Sequence, residues 1–374
     1  MIKLNALQFL RFLAFLLVFL FHSAHFQFLY NPGGGAAASA VSFFILLSGF
    51  LAGYTCVNQN IKCTLKECIK YVFKKIKKFY PLYIGTTAVT LLYSGLKTHL
   101  LLGNFEAVRD LLIQLFKNVF LIQSWFPTGY FSYNSPSWFL STMMLLYLCK
   151  TPLTYYLQKI STKKYGVFVL IGLFFIFSTL FAAYCYAIGQ STYSPEFYLY
   201  IFPPARILEF TCGIILGFLM RLLYQKCTSP NIILFSILEF AAFYIWYQAY
   251  VTQQAEWECR SLRWFLPNLL ILCIFSMNAG ILSKLFSFKW LKYLGDISFE
   301  SYMIHQVILT LCSYATGYLA PYISAFSGSY IWNGFLQLSC LFATLIISHF
   351  IATVFPMLHN HIFIKKVHKS TNNA

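Results

Sequence analysis

Long apolar runs, separated by short lysine-rich or turn-forming stretches, set the pattern of this chain. Ten such runs stand out, at 6–28, 37–57, 80–95, 136–154, 165–187, 204–222, 231–252, 262–282, 294–316 and 329–356. A helix rises about 1.5 Å per residue, so about 20 apolar residues cross the roughly 30 Å hydrocarbon core of a bilayer. The third run is short, with room to extend toward Leu102. Leu111–Ile122 is too short to cross and carries Lys117, so it is predicted as an interfacial or re-entrant helix. The glycine cluster Gly33–Gly35 between the first two runs is predicted as a turn. The pattern predicts an all-α fold, a polytopic membrane bundle of about ten transmembrane helices, in one domain over 1–374.

The loops orient it. Twenty of the 27 Lys and Arg residues fall in alternate loops and the termini, six lie on the opposite side, and Arg11 is inside the first run. By the positive-inside rule both termini are cytoplasmic. The segment 58–79 is predicted as a cytoplasmic basic amphipathic helix, and 357–374 as a short cytoplasmic tail. Within the former, Lys62, Lys66, Lys70 and Lys74 recur every four residues and form one helix face, with Ile69, Val72, Phe73, Ile76 and Phe79 between them. Such a helix lies on the cytoplasmic leaflet, where its lysines attract anionic membrane lipid or offer a binding surface for a phosphorylated cytosolic donor, the lipid reading being favoured.

Composition narrows the class further. Only 10% of the 374 residues are charged, against about 25% in a soluble domain. The net charge of +17 is accounted for by topology, without nucleic acid. Eleven cysteines show no CxxC and no metal-ligand spacing, so neither a metal site nor a disulfide framework is predicted. No phosphate-binding loop or credible dinucleotide fingerprint is present. Met1–Gln27 has too long an apolar run, and no suitable cleavage site, for a removed signal peptide.

Against this background the intramembrane ionisable residues carry the chemistry. Arg11 and His22 are eleven residues apart, just over three helical turns, and so share one face about 16 Å apart. Ionisable groups at membrane depth face the protein interior or a wet cavity, so the pair predicts a polar seam. Singly, Arg11 snorkelling to the interface and His22 satisfied in the interior are adequate accounts. Arg206 and Glu209 are three apart and can pair on one helix face, as a structural pair or an active-site pair. Glu239 is a further intramembrane carboxylate with no evident partner. Trp138 sits after a turn, where an interfacial tryptophan belongs. Asp296 is placed in the first turn of the ninth span, with His305 near the bilayer middle. Glu300, five residues before His305, is off its face.

Six blocks, in order, resemble those of the acyltransferase family 3 integral membrane proteins. They are LQFLRFLAFLLVFLFH with Arg11 and His22, SFFILLSGF at Ser42–Phe50, FKKIKKFYPLY at Phe73–Tyr83, SWFLSTMMLLYL, ARILEFTCGIILG and LGDISFESYMIH. Lys74, Lys75 and Lys78 stand where arginines are usual in that family, and Met143 stands where many members have Glu. The lysines keep the charge but lose bidentate phosphate recognition. Some relatives carry an extra soluble hydrolase-like domain, absent from this sequence.

The resemblance implies a membrane O-acyltransferase of the bacterial cytoplasmic membrane. Acyl-CoA, most often acetyl-CoA, would be the cytosolic donor, and a hydroxyl of a cell-surface or lipid-linked glycan the acceptor. It implies His22 as general base and Arg11 as holder of donor phosphate or carbonyl charge. Arg206 and Glu209 would line or shape an outer chamber. Lys74, Lys75 and Lys78, with Ser48, would bind CoA, and Trp138 and His305 would line the site. A glycan exporter or flippase, and an inactive scaffold of a glycan-assembly complex, are the alternatives. Gly33–Ala40 and the Gly213/Gly217 pair allow close helix packing, compatible with a homo-oligomer without specifying one.

Overall fold

A computed structural model describes residues 4–371 except 27, 30, 32, 58, 93–104, 191–193, 227–229, 253–260 and 320–328. Among the described residues there is no strand, and the helices form one bundle. They are α1 Asn5–His22, α2 Gly33–Cys56, α3 Leu65–Thr90, α4 Phe105–Val119, α5 Trp138–Ser161, α6 Gly166–Gly189, α7 Ile207–Lys226, α8 Ile232–Val251, α9 Leu262–Ser276, α10 Ile281–Phe286, α11 Lys289–Asp296, α12 Ser298–Leu319 and α13 Tyr330–Thr371. Six segments are long and apolar enough to cross a membrane: α1, α2, α6, Pro203–Lys226, α8 and Tyr330–Val354. The other four expected spans also fall on helices, but these are shorter or more polar.

The centre is α2, whose apolar face all round reflects burial on every side. It packs most closely on α7, because glycines let the backbones meet. A Cβ on Gly49 would lie 2.2 Å from the Phe210 carbonyl oxygen, and one on Gly217 would lie 2.1 Å from that of Phe50. The Gly213/Gly217 face is thus occupied within the chain. In contrast α6 and α8 turn large side chains outward, among them Phe168, Phe175, Ile233 and Phe240. That outward apolar surface is what lipid tails cover.

Three local expectations are corrected. The amphipathic segment and the third span are one helix: Thr64 accepts from the Glu67 N–H to start α3, and nothing stops it before Thr90. Pro81 is inside that helix, four residues after Lys77, without ending it. Lys66, Lys70 and Lys74 therefore lie on the near half of this longer helix, and Lys62 precedes it. Gly33–Gly35 opens α2 instead of forming a turn: Gly33 has φ +70°, and its N–H bonds Asn31 Oδ1 at 2.9 Å. Asp296 ends α11, a break falls at Ile297, and Glu300 takes the first turn of α12. The expected interfacial segment at Leu111–Ile122 lies mostly on α4, which stops where Leu121 adopts φ 55°. It is tied to the bundle by Tyr83, whose hydroxyl donates to the Asn118 carbonyl oxygen at 2.8 Å. The segment 357–374 continues α13 as far as Thr371.

Glu239 gains partners: its carboxylate accepts from the N–H groups of Gly280, Leu282 and Ser283 and from the Ser283 hydroxyl. It caps α10 from α8, satisfying donors that a helix start leaves open.

Candidate active site

Two cavities occupy opposite ends of α1. The inner one, about 580 Å³, opens at the lysine-rich end between α1, α2, α3, α5 and α12. Arg11, Lys75, Lys78 and Lys150 line it, and no Asp or Glu does. Half-buried Arg11 is held by its bond to Gln8 Oε1 at 3.0 Å. Two tyrosines organise the lysines. Lys75 lies 5.5 Å from the Tyr71 ring centre and 5.3 Å from that of Tyr147, and Lys150 lies 4.8 Å from Tyr71. Lys75, on the part of α3 outside the span, is pushed below the ordinary lysine value, first by burial and then by Lys78, Lys150, Lys74 and Arg11. Four cations gathered in one wall, with Glu300 and Asp296 acting on Arg11 from outside it, make a chamber suited to an anion. Ser48 and Met143 are also in its wall, so the position where many resembling sequences have Glu is apolar here.

The outer cavity, about 240 Å³, is lined by His22, Trp138, Tyr200, Phe131, Glu196 and Tyr302, among others. Trp138 is only 4% exposed, against Tyr200 with ring centres 4.8 Å apart. It is therefore a chamber wall and not an interfacial anchor. His22 hydrogen-bonds through Nδ1 to His305 Nε2 at 2.9 Å, and His305 donates from Nδ1 to the Tyr302 carbonyl oxygen at 2.7 Å. His305 is wholly buried behind His22, in contact with the Phe15 ring.

Tyr302 belongs to both cavities. Its ring meets Phe44 and Phe139 with centres 6.1 and 5.9 Å away, and those two are 6.2 Å from each other. The polar seam expected along α1 is therefore two chambers with a three-ring partition between them.

Arg206 and Glu209 do pair, at 3.0 Å, with neither side chain exposed. They line neither chamber. Ser42 on α2 donates to Glu209, and Arg206 donates to the Leu199 carbonyl oxygen at 3.1 Å. The pair braces the π-helical turn Phe197–Ile201, whose Tyr200 faces the outer chamber. Of the two expected roles, lining or shaping the outer chamber, they do not line it; desolvated charges settle where partners surround them. Lys74 also departs from Lys75 and Lys78. One residue turns a helix by 100°, so Lys74 points into a separate groove of about 990 Å³ between α3, α12 and α13. Lys78 reaches both cavities.

Sequence reasoning missed Lys150, Tyr71, Tyr147, Tyr302 and Glu196. Lys150 looked like one more inside-loop lysine, and the tyrosines are unremarkable in a chain that is 20% aromatic. Among the described residues no group of three or more His, Cys, Asp or Glu is arranged to hold a metal ion.

The structure is thus that of a helical membrane protein with a histidine chamber at one end of α1 and a cationic chamber at the other. Residues 4–354 match the family described as "Acyltransferase domain", and the chain belongs to that family. It is similar to the acyltransferase MdmB of Streptomyces mycarofaciens, 30% identical over 237 residues, or 59% of this chain. The matched part is 58% of that relative's length. No solved structure matches the chain.

Proposed function

We propose that this protein is a membrane O-acyltransferase, most simply an acetyltransferase, of the bacterial cytoplasmic membrane. The inner chamber takes the charged part of cytosolic acyl-CoA, and the outer chamber takes a hydroxyl of a cell-surface or lipid-linked glycan. The single observation carrying this reading is the opposition along α1 of a chamber lined by Arg11 and three lysines and a histidine chamber at His22. The inner volume is within the few hundred to 1,000 Å³ usual for small-molecule sites.

Lys75, Lys78, Lys150 and Arg11 attract the donor phosphates, and the flexible thiol-bearing arm extends past the rings to the outer side. The acceptor hydroxyl gives its proton to His22 while its oxygen bonds the thioester carbonyl carbon. The C–S bond breaks, and the His22 imidazolium returns the proton to the departing sulfur. Ester and free thiol are the products. Trp138, Tyr200 and Phe131 give the acceptor an apolar wall, with Glu196 as a hydrogen-bond acceptor for its hydroxyls. The exposed faces of Lys62, Lys66, Lys70 and Lys74 meet anionic lipid.

The experiment is thiol release from acetyl-CoA by the purified protein, with and without a crude lipid-linked glycan fraction, beside His22→Ala. Acceptor-dependent release, lost in His22→Ala, is expected. Donor binding without release across several acyl chains and acceptors would overturn it. Two chambers on either side of a constriction also suit a glycan exporter. Such a protein would move glycan without consuming acyl-CoA.

A further inference from the structure

We propose that His305 is a positioning residue that fixes the tautomer of His22 and leaves the His22 Nε2 lone pair as the proton acceptor of the outer chamber. This rests on the reading of His22 as general base.

The assignment begins at a group with no choice. The Tyr302 carbonyl oxygen can only accept, so the nitrogen 2.7 Å from it, His305 Nδ1, carries a hydrogen. In the neutral imidazole the other nitrogen, Nε2, is then bare. Nε2 of His305 is 2.9 Å from His22 Nδ1, so that bond requires His22 Nδ1 to donate. His22 in turn has its hydrogen on Nδ1 and its lone pair on Nε2. The chain of bonds runs in one direction, from His22 through His305 to a backbone oxygen, and each ring's tautomer follows from the next.

The surroundings hold this arrangement rigidly. His305 has no exposed surface. Phe15 meets it edge-on with ring centres 5.7 Å apart, and Phe19 lies 6.4 Å away. The two imidazole planes differ by only 27° and their centres are 5.1 Å apart, so the rings meet edge to edge along the nitrogen–nitrogen hydrogen bond. When His22 takes a proton on Nε2 it becomes a stronger donor through Nδ1, and His305 Nε2 is already placed to accept. His305 thus does for His22 what an orienting carboxylate does in a nucleophile–histidine–acid triad, without bringing a negative charge into the membrane.

The inference separates two substitutions of similar size. His305→Phe suits a pocket already lined by phenylalanine rings but removes the acceptor. His305→Gln retains a carbonyl oxygen near the place of Nε2. The first readout is 15N spectroscopy of histidine-labelled protein in lipid nanodiscs, with the His22 signal identified by its loss in His22→Gln. The bare and the protonated nitrogens of a neutral imidazole resonate far apart. Wild-type protein and His305→Gln should show His22 protonated on Nδ1, and His305→Phe should show a mixture of tautomers. The second readout is acyl transfer. His305→Phe should lower kcat on the order of 10²-fold with the donor KM within about twofold, and His305→Gln should recover most of that loss. His22 protonated on Nε2 in the wild type, or equal tautomer populations in Phe and Gln variants, would overturn the proposal. Because the spectra need no substrate, an inactive wild-type protein would count against the proposed function alone.

Discussion

Tyr302 donates its hydroxyl to the Pro136 carbonyl oxygen at 3.0 Å, which pins its ring between the two chambers. Pro136 belongs to the turn that starts α5, and α5 also supplies Phe139. Asn134 in the same turn donates to the Met303 carbonyl oxygen at 2.9 Å and to Thr86 at 3.0 Å. The partition is therefore assembled by one turn that ties α3, α5 and α12 together.

Trimming the partition should uncouple the reaction. Phe139→Ala opens a path for water to the thioester without touching His22 or the lysines. Thiol release from acetyl-CoA in the absence of acceptor should rise severalfold, while acceptor-dependent release falls. Unchanged background release would show that the rings do not exclude water from the donor. Tyr302→Phe keeps the ring and loses one buried hydrogen bond, which costs roughly 1 kcal/mol of stability. Thermal unfolding in detergent reads that loss.

Neutralising Lys75, Lys78 and Lys150 together should weaken CoA binding at least tenfold, measured by calorimetry, with a shallower dependence on salt than the wild type. The same number of changes at Lys62, Lys66 and Lys70, which line no inner wall, should leave CoA affinity unchanged and reduce retention on anionic vesicles. Equal effects of the two sets would assign all of these lysines to lipid.

Arg206→Met and Glu209→Gln should each destabilise the protein by about 3–5 kcal/mol, because each leaves its partner as an uncompensated buried charge. Replacing both with apolar residues should recover most of that stability. The protein that remains folded should keep its donor KM. A large fall in kcat in fully folded single variants would return the pair to the chemistry.

Gly217→Ala should cost about 1–3 kcal/mol, since its new Cβ would press on the Phe50 backbone 2.1 Å away. Gly172 on α6 has nothing within 4 Å, and Gly172→Ala should be neutral or stabilising by up to about 1 kcal/mol. Comparative unfolding of the two variants tests the closeness of the α2–α7 contact.

Arg11 and His22 were legible in the sequence because ionisable groups are conspicuous in an apolar run, and helical spacing alone put them on one face. The Arg206–Glu209 contact was legible for the same reason, as a local i,i+3 pair. Its surroundings were not, because Ser42 comes from 167 residues earlier in the chain. The distinction between Lys74 and Lys75 depends on which side of α3 faces the bundle, which a row of lysines on both sides leaves undecided. Tyr302 and His305 gain their places from Pro136 and His22, contacts 166 and 283 residues apart in sequence. Long-range packing of this kind has no periodicity to read.

The three-ring partition also bears on the electrical insulation of the membrane. Moving one elementary charge through 100 mV is worth about 2.3 kcal/mol, and an open wet passage through the bundle would short-circuit that potential. In the proposed reaction the cargo passing the rings is an uncharged acyl group, while the phosphates of its carrier stay with the lysines on the near side. Transfer then neither draws on the voltage nor works against it, and the plug of Phe44, Phe139 and Tyr302 needs to part only by the width of a thioester arm.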